Sequence, residues 1–250
     1  AVTTTNRFAN LTFERFRELA KDDSLSRHEK VGFPDAYREG KEAAVFRDVL
    51  AKMGSLQVPD SVVLEIGPGC SQLPLMLAEH CEARGQKVLF VDSEEMLRHL
   101  PDEPHIEKLP GCFPQVDGLF ERYAGQVRSI VTYSVIQYAF ADGNVWDFLD
   151  KAMLLLCDGG EMLIGDIPNM TMRKRFFSGN EGIACHQAYT GTTERPAVAF
   201  NQLEPGQMDD SVVLALVARA RAQGFHAWIV PQSADLPMAN RREDILIRKP

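Results

Sequence analysis

Two glycines and two carboxylates carry the chemistry that can be read first. In VLEIGPGCSQLPLML an apolar run leads into Gly67, Pro68, Gly69, Cys70 and Ser71, and then into a helical pattern. A strand-to-helix turn this tight needs backbone angles that a Cβ resists, and glycine also lets a ligand approach the main chain. Asp92 ends the next apolar run, KVLFVD, 25 residues after Gly67. A carboxylate at that place offers two acceptor oxygens to the vicinal hydroxyls of a ribose. Together, turn and acid point to a nucleotide-type cofactor. Glu65, just before the turn, is a poor neighbour for a pyrophosphate and a good partner for an ammonium. Gln72 stands where a dinucleotide-binding turn carries its third small residue, so a nicotinamide oxidoreductase is the lesser reading.

The elements that must hold these groups are legible from periodicity. From Ser61 onward, short apolar runs alternate with helical patterns, as in a parallel sheet built from βαβ units. The runs are 62–66, 87–92, 129–134 and 161–166, each apolar enough to be buried on both faces. Crossover helices are expected over 73–84, 93–100 and 146–157, with Gly85 and Gly159 as stops. A last helix, capped by Asp209 or Asp210, precedes two closing strands, FHAWIV and DILIRK. Two helices are expected before the sheet. One follows the cap residue Thr12 and carries Phe13, Phe16, Leu19 and Ala20; the other carries Val45, Phe46, Val49, Leu50 and Met53. The intervening SLSRHEKVGFPDAYREG reads as a loop, and so does the stretch 168–208. These boundaries divide the chain into a helical cap, 1–55, and a core, 56–250, with an insert at 168–208.

Composition bounds the partners. The chain has 250 residues, 45% of them hydrophobic, and a formal net charge of −8. That length suits one α/β core with appendages, and the acidic balance disfavours a nucleic-acid partner. The five cysteines include no CxxC pair, so neither a zinc site nor a disulfide framework is expected. Without a long apolar run, a cytoplasmic protein with no membrane partner is expected.

With these motifs in hand, the chain resembles the class I S-adenosylmethionine-dependent methyltransferases. Glu65, Gly67 and Gly69 match that family's acid-x-Gly-x-Gly turn. Asp92, Ser93, Met96 and Leu97 match its second motif, and Gly159 and Gly160 its Gly-Gly turn. Gly111 fits the third, where Cys112 replaces the usual acid. The resemblance implies a doubly wound, mostly parallel seven-stranded α/β sheet, and S-adenosylmethionine as cofactor with S-adenosylhomocysteine as product. It implies that Asp92 binds the ribose and that Gly67, Pro68 and Gly69 pass under the methionine moiety. Glu65 would hold the amino group, and Ser93, Met96, Gly111, Cys112 and Phe113 would line the cofactor. Ser134 and Gln137 would face the methyl, and Tyr37 or Arg38 would meet the cofactor carboxylate. SLSRHEKVGFPDAYREG and IGDIPNMTMRKRFF are similar to methyltransferase-like proteins of bacterial surface-glycan gene clusters.

Methyl transfer from a sulfonium asks the protein mainly for orientation, with a base only where the acceptor loses a proton. Asp166, His186 and His28 are the candidates for that base. Arg173, Lys174 and Arg175 form the one concentrated basic run, either a solvated helix start or a clamp for an anionic small-molecule acceptor such as an acidic sugar. Lacking an Asn-Pro-Pro-Tyr box, TYSV makes nucleobase nitrogens poor candidate acceptors. A fold that binds the cofactor without catalysis, as a regulatory or scaffolding protein, is the second reading. Aminopropyl transfer lacks an acidic polyamine site.

Overall fold

Glycine, proline and cap residues set where the elements begin and end, and period-two burial sets how the sheet packs. The computed structural model describes residues 11–33 and 40–250. Its sheet has seven strands: β1 (Val62–Ile66), β2 (Lys87–Asp92), β3 (Ile106–Pro110), β4 (Val127–Tyr133), β5 (Leu156–Pro168), β6 (His226–Pro231) and β7 (Arg242–Arg248). Their order is β3-β2-β1-β4-β5-β7-β6, and only β7 runs antiparallel to its neighbours. The expected doubly wound, mostly parallel seven-stranded α/β sheet is thus present.

Alternation along the strands divides two apolar layers. Leu64 and Ile66 of β1 pack with Leu89, Val91, Ile130 and Ile164 on one face, whereas Val63 packs with Val88, Phe90 and Val131 on the other. On the first face lie α8 (Val145–Leu155) and α11 (Asp210–Ala222); on the second lie α3 (Glu42–Lys52) and α4 (Gln72–Glu82). Burial on both faces explains why these strands read as continuous apolar runs. The order reverses between β1 and β4, and the crevice at such a switch point is where open α/β sheets bind ligands.

Around the crevice the chain adds short elements. α1 (Phe13–Lys21) starts at Thr12, whose hydroxyl accepts the Arg15 N–H, as expected. α2 (Arg27–Lys30) replaces the loop expected there: Ser26 and Glu29 form a reciprocal capping box, a sequence signature that periodicity overlooks in a four-residue helix. α5 (Glu94–Leu97) follows β2, α6 (Leu119–Tyr123) precedes β4, and α7 (Ile136–Asp142) follows it. In the insert, the expected loop contains α9 (Met170–Ser178) and α10 (Asn180–Thr190). α9 is capped by Asn169, and its single buried residue, Phe177, leaves no apolar stripe to read. Among the described residues, no helix is long and apolar enough to cross a membrane.

Candidate functional site

A cavity of about 390 Å³ opens at the C-terminal ends of β1, β2 and β4, within the range of about 300–1,000 Å³ that small-molecule sites occupy. Its floor is the glycine turn. Gly67 and Gly69 have φ of +70° and +63°, in the left-handed region. A Cβ on Gly67 would stand 2.6 Å from Val135 Cγ2, and one on Gly69 would stand 2.4 Å from Val31 Cγ1. Both glycines are therefore demanded twice, by backbone angle and by close approach.

Asp92 ties this turn to β2. Its Oδ2 accepts the Gly69 N–H at 3.1 Å and its Oδ1 accepts the Ser93 N–H at 2.7 Å. Burial pushes the Asp92 carboxyl up to about 6, against the lowering effect of these two bonds. Glu65, 2% exposed, ends β1 beside it. Burial, with the Asp92 charge adding to it, pushes Glu65 up to about 8. Glu65 Oε2 has no hydrogen-bond partner among the described residues. A buried, unpartnered carboxylate oxygen on a cavity wall fits a ligand that brings a donor, above all an ammonium.

Gly111, Cys112 and Phe113 line the next wall, after β3. The Gly111 N–H donates to the Asp92 carbonyl at 2.9 Å. Phe113 sits edge-on to Phe148 with ring centres 5.0 Å apart, and burial pushes the Cys112 thiol up. Met96 lines the cavity, whereas Ser93 serves beneath it, capping α5 through the Met96 N–H at 3.2 Å. The cover comes from residues that sequence reasoning assigned to helix packing alone. Phe13 and Phe16 of α1 line the cavity, and Phe16 meets Tyr138 of α7 edge-on at 5.0 Å. Arg17 holds α1 to α5 by a two-pronged contact with Glu95, at 2.9 and 2.8 Å. The aromatic stripe of α1 was the available signal, but nothing local tells a core face from a ligand cover.

Ser134 lines the cavity beyond β4, and Gln137 does not; its amide donates to the Ser134 carbonyl at 3.0 Å. Ser134 and Asp166 both have positive φ, +60° and +59°, a strain that accumulates at functional ends of strands. The Ser134 hydroxyl donates to Asp166 Oδ2 in a short contact. That same oxygen accepts from Arg242 Nη1 at 2.8 Å, and Asp166 Oδ1 accepts from Gln232 Nε2 at 3.2 Å. Asp166 is 7% exposed, and the Asp244 carboxylate takes its backbone N–H at 2.8 Å. Asp166 does not line this cavity, and its two oxygens accept from Ser134, Arg242 and Gln232.

The other expected groups lie elsewhere. His28, on α2, contacts Glu42 Oε2 at 3.3 Å and is not part of the cavity wall. His186, on α10, lines a second cavity with Arg173 and Lys174. The basic run is split, because helical geometry sends successive side chains in different directions. Arg175 turns to Asp210 at 2.5 Å, and Lys174 contacts Glu204 at 2.9 Å. Tyr37 and Arg38 lie outside the described residues.

No family model matches the chain. One curated protein, a probable non-canonical nonribosomal peptide synthetase, CymA, of Salinispora arenicola (strain CNS-205), is 32% identical over 130 residues, 48% of this chain. The match spans 2% of that much longer protein. Among solved structures, Haemonchus contortus phosphoethanolamine N-methyltransferase 1, determined with phosphoethanolamine and S-adenosylhomocysteine, superposes with a TM-score of 0.59 at 17% identity, over 95% of this chain and 50% of that one. The plantazolicin methyltransferase BpumL gives 0.58 at 13% identity, over 95% and 96%. A Haloferax volcanii putative methyltransferase in complex with the Trm112 activator gives 0.56 at 13%, over 94% and 96%. The strand order, the cavity at the switch point and these superpositions agree: the chain has the fold of the class I S-adenosylmethionine-dependent methyltransferases.

Proposed function

We propose that the chain transfers a methyl group from S-adenosylmethionine to an oxygen or nitrogen of a small molecule. The observation that carries this reading is the Glu65, Gly67, Gly69 and Asp92 constellation, with the orphaned Glu65 Oε2 aimed at a cavity of ligand size. Asp92 would accept from the ribose hydroxyls, Gly67 to Gly69 would lie against the methionine moiety, and Glu65 would pair with its ammonium. Cys112 and Phe113 would flank the adenine. When bound, S-adenosylmethionine supplies an electrophilic methyl on a sulfonium.

The residues of this chain would then orient and exclude water. Phe13, Phe16 and Tyr138 give the cover an apolar surface, which strengthens electrostatic contacts inside. Ser134, its proton directed to Asp166, would turn its oxygen toward the acceptor's O–H or N–H. An acidic sugar of a surface glycan is one acceptor of this class; Arg173 and Lys174 do not line the glycine-turn cavity. The cytoplasm is the compartment proposed.

Calorimetry with S-adenosylmethionine and S-adenosylhomocysteine tests the reading. The wild type binds both, and Asp92→Ala weakens binding about a hundredfold, the loss of two charge-assisted hydrogen bonds. No binding by the wild type, or unaltered binding by the variant, defeats it. A second reading, cofactor binding without catalysis, is favoured by the commitment of Asp166 to Arg242. Labelled methyl transfer to any component of a small-molecule extract would exclude it.

A further inference from the structure

The segment between β5 and α11 encloses a second cavity, of about 480 Å³, that shares no wall residue with the cavity at the glycine turn. α9 brings Arg173, Lys174 and Phe177 to it, α10 brings His186, and the chain that follows closes it with Val198 and Glu204. In a chain of formal net charge −8, this wall sets two permanent cations and an imidazole against one carboxylate.

Each cation is held by a different contact. Lys174 is held by Glu204 Oε1 at 2.9 Å and by the Gln202 carbonyl at 3.1 Å, which leaves one of its three ammonium protons for a further acceptor. Arg173 lies over the ring of Phe177 with 4.9 Å between guanidinium carbon and ring centre. The ring face attracts the guanidinium charge, as it does that of Arg241 at 5.2 Å, and the Arg173 N–H groups are the donors that would bind a planar or tetrahedral anion. Phe177 is itself 9% exposed and meets His186 edge-on at 6.4 Å, so the ring that carries Arg173 is anchored. Arg175, the third cation of the run, points away to Asp210. The α-helix thus sorts the three charges, spending one on α11 and turning two into the cavity.

We infer that this cavity binds the phosphate or carboxylate of a small molecule, with Arg173 as principal contact, Lys174 as second charge and the Val198 side as apolar wall. It is a site separate from the one proposed for the sulfonium cofactor and is tested without it.

The full chain is titrated calorimetrically with inorganic phosphate and, separately, with glucuronate, at constant ionic strength. Saturable one-site binding of at least one of them is expected, and the tighter of the two identifies the anion. Arg173→Gln, at an exposed position whose loss leaves the fold intact, weakens that binding about tenfold, as removal of one charge-assisted contact does. Excess S-adenosylhomocysteine does not displace the anion. No saturable binding of either probe, binding unaltered in Arg173→Gln, or displacement by S-adenosylhomocysteine overturns the inference. Because the anion is read on its own, its failure leaves the methyltransferase reading standing, and failure of cofactor binding leaves the anion result readable.

Discussion

Glu65 and Asp92 meet one cavity from the ends of the neighbouring parallel strands β1 and β2, and the Asp92 charge adds to the burial that pushes Glu65 up to about 8. At pH 7 the ligand-free protein therefore keeps a proton on Glu65, and a cationic ligand that pairs with its carboxylate must drive that proton off. Cofactor binding is expected to release close to one proton at pH 7. The measurement is the calorimetric enthalpy in buffers of different ionisation enthalpy, where the slope gives the proton count. Glu65→Gln should abolish the slope, and a wild-type slope of zero would contradict the role given to Glu65.

The same shift sets the sign of a stability change with pH. Glu65 titrates near 4.5 as an ordinary side chain and near 8 in the fold, so the folded state binds the proton more tightly. Its contribution is complete below about pH 4.5 and is lost as pH rises through about 8. Asp92, raised to about 6, acts in the same direction over a lower window. The ligand-free protein should lose on the order of 3 kcal/mol between pH 5 and pH 9 from Glu65. Urea unfolding across that range checks it: Glu65→Gln should flatten the fall and be the more stable protein at pH 9.

Gly69 separates two causes of strain. With φ +63° and Val31 Cγ1 at 2.4 Å from any added Cβ, Gly69→Ala should cost about 2–4 kcal/mol, from backbone strain together with overpacking. Adding Val31→Ala removes the clash and leaves the backbone term. Thermal melts of the single and double variants should show partial recovery. Full recovery would mean that the left-handed angle costs nothing there.

Asp166 and Arg242 form a largely buried pair at 2.8 Å. Removing one member strands the other, so Asp166→Ala should destabilise by about 3–5 kcal/mol. Ser134→Ala should keep the fold and cofactor affinity while lowering methyl transfer. A base free to act would give the opposite pattern, with Asp166→Ala stable and inactive. Denaturant midpoints measured alongside transfer to extract acceptors distinguish the two.

Arg17 holds α1, whose Phe13 and Phe16 line the cavity, to α5 through a bidentate contact with Glu95, which Lys21 also meets at 3.3 Å. Arg17→Gln should speed release of S-adenosylhomocysteine by a few fold, since partly exposed ion pairs are worth roughly 0.2–1 kcal/mol. Stopped-flow dissociation at low and high salt reads it, with the wild-type rate rising toward that of the variant as salt screens the pair.

By itself the sequence determined what depends on near neighbours: the apolar strands, the Gly67–Gly69 turn, the acid at the end of β2 and the Thr12 cap. Each is a local demand, on backbone angle, alternation or an unsatisfied N–H, and so leaves its mark within a few residues. The capping box of Ser26 and Glu29 was equally local and was obscured only by the shortness of its helix. Tertiary structure decided the rest. Asp166 is bound by Arg242, 76 residues away, and Phe16 covers a ligand cavity because α1 lies against α5. Arg173 and Lys174 part from Arg175 because a helix distributes adjacent side chains around its axis. Side chains that meet only after the sheet has formed carry no signature in residue spacing, as Asp166 with Arg242 and Phe16 with Tyr138 show.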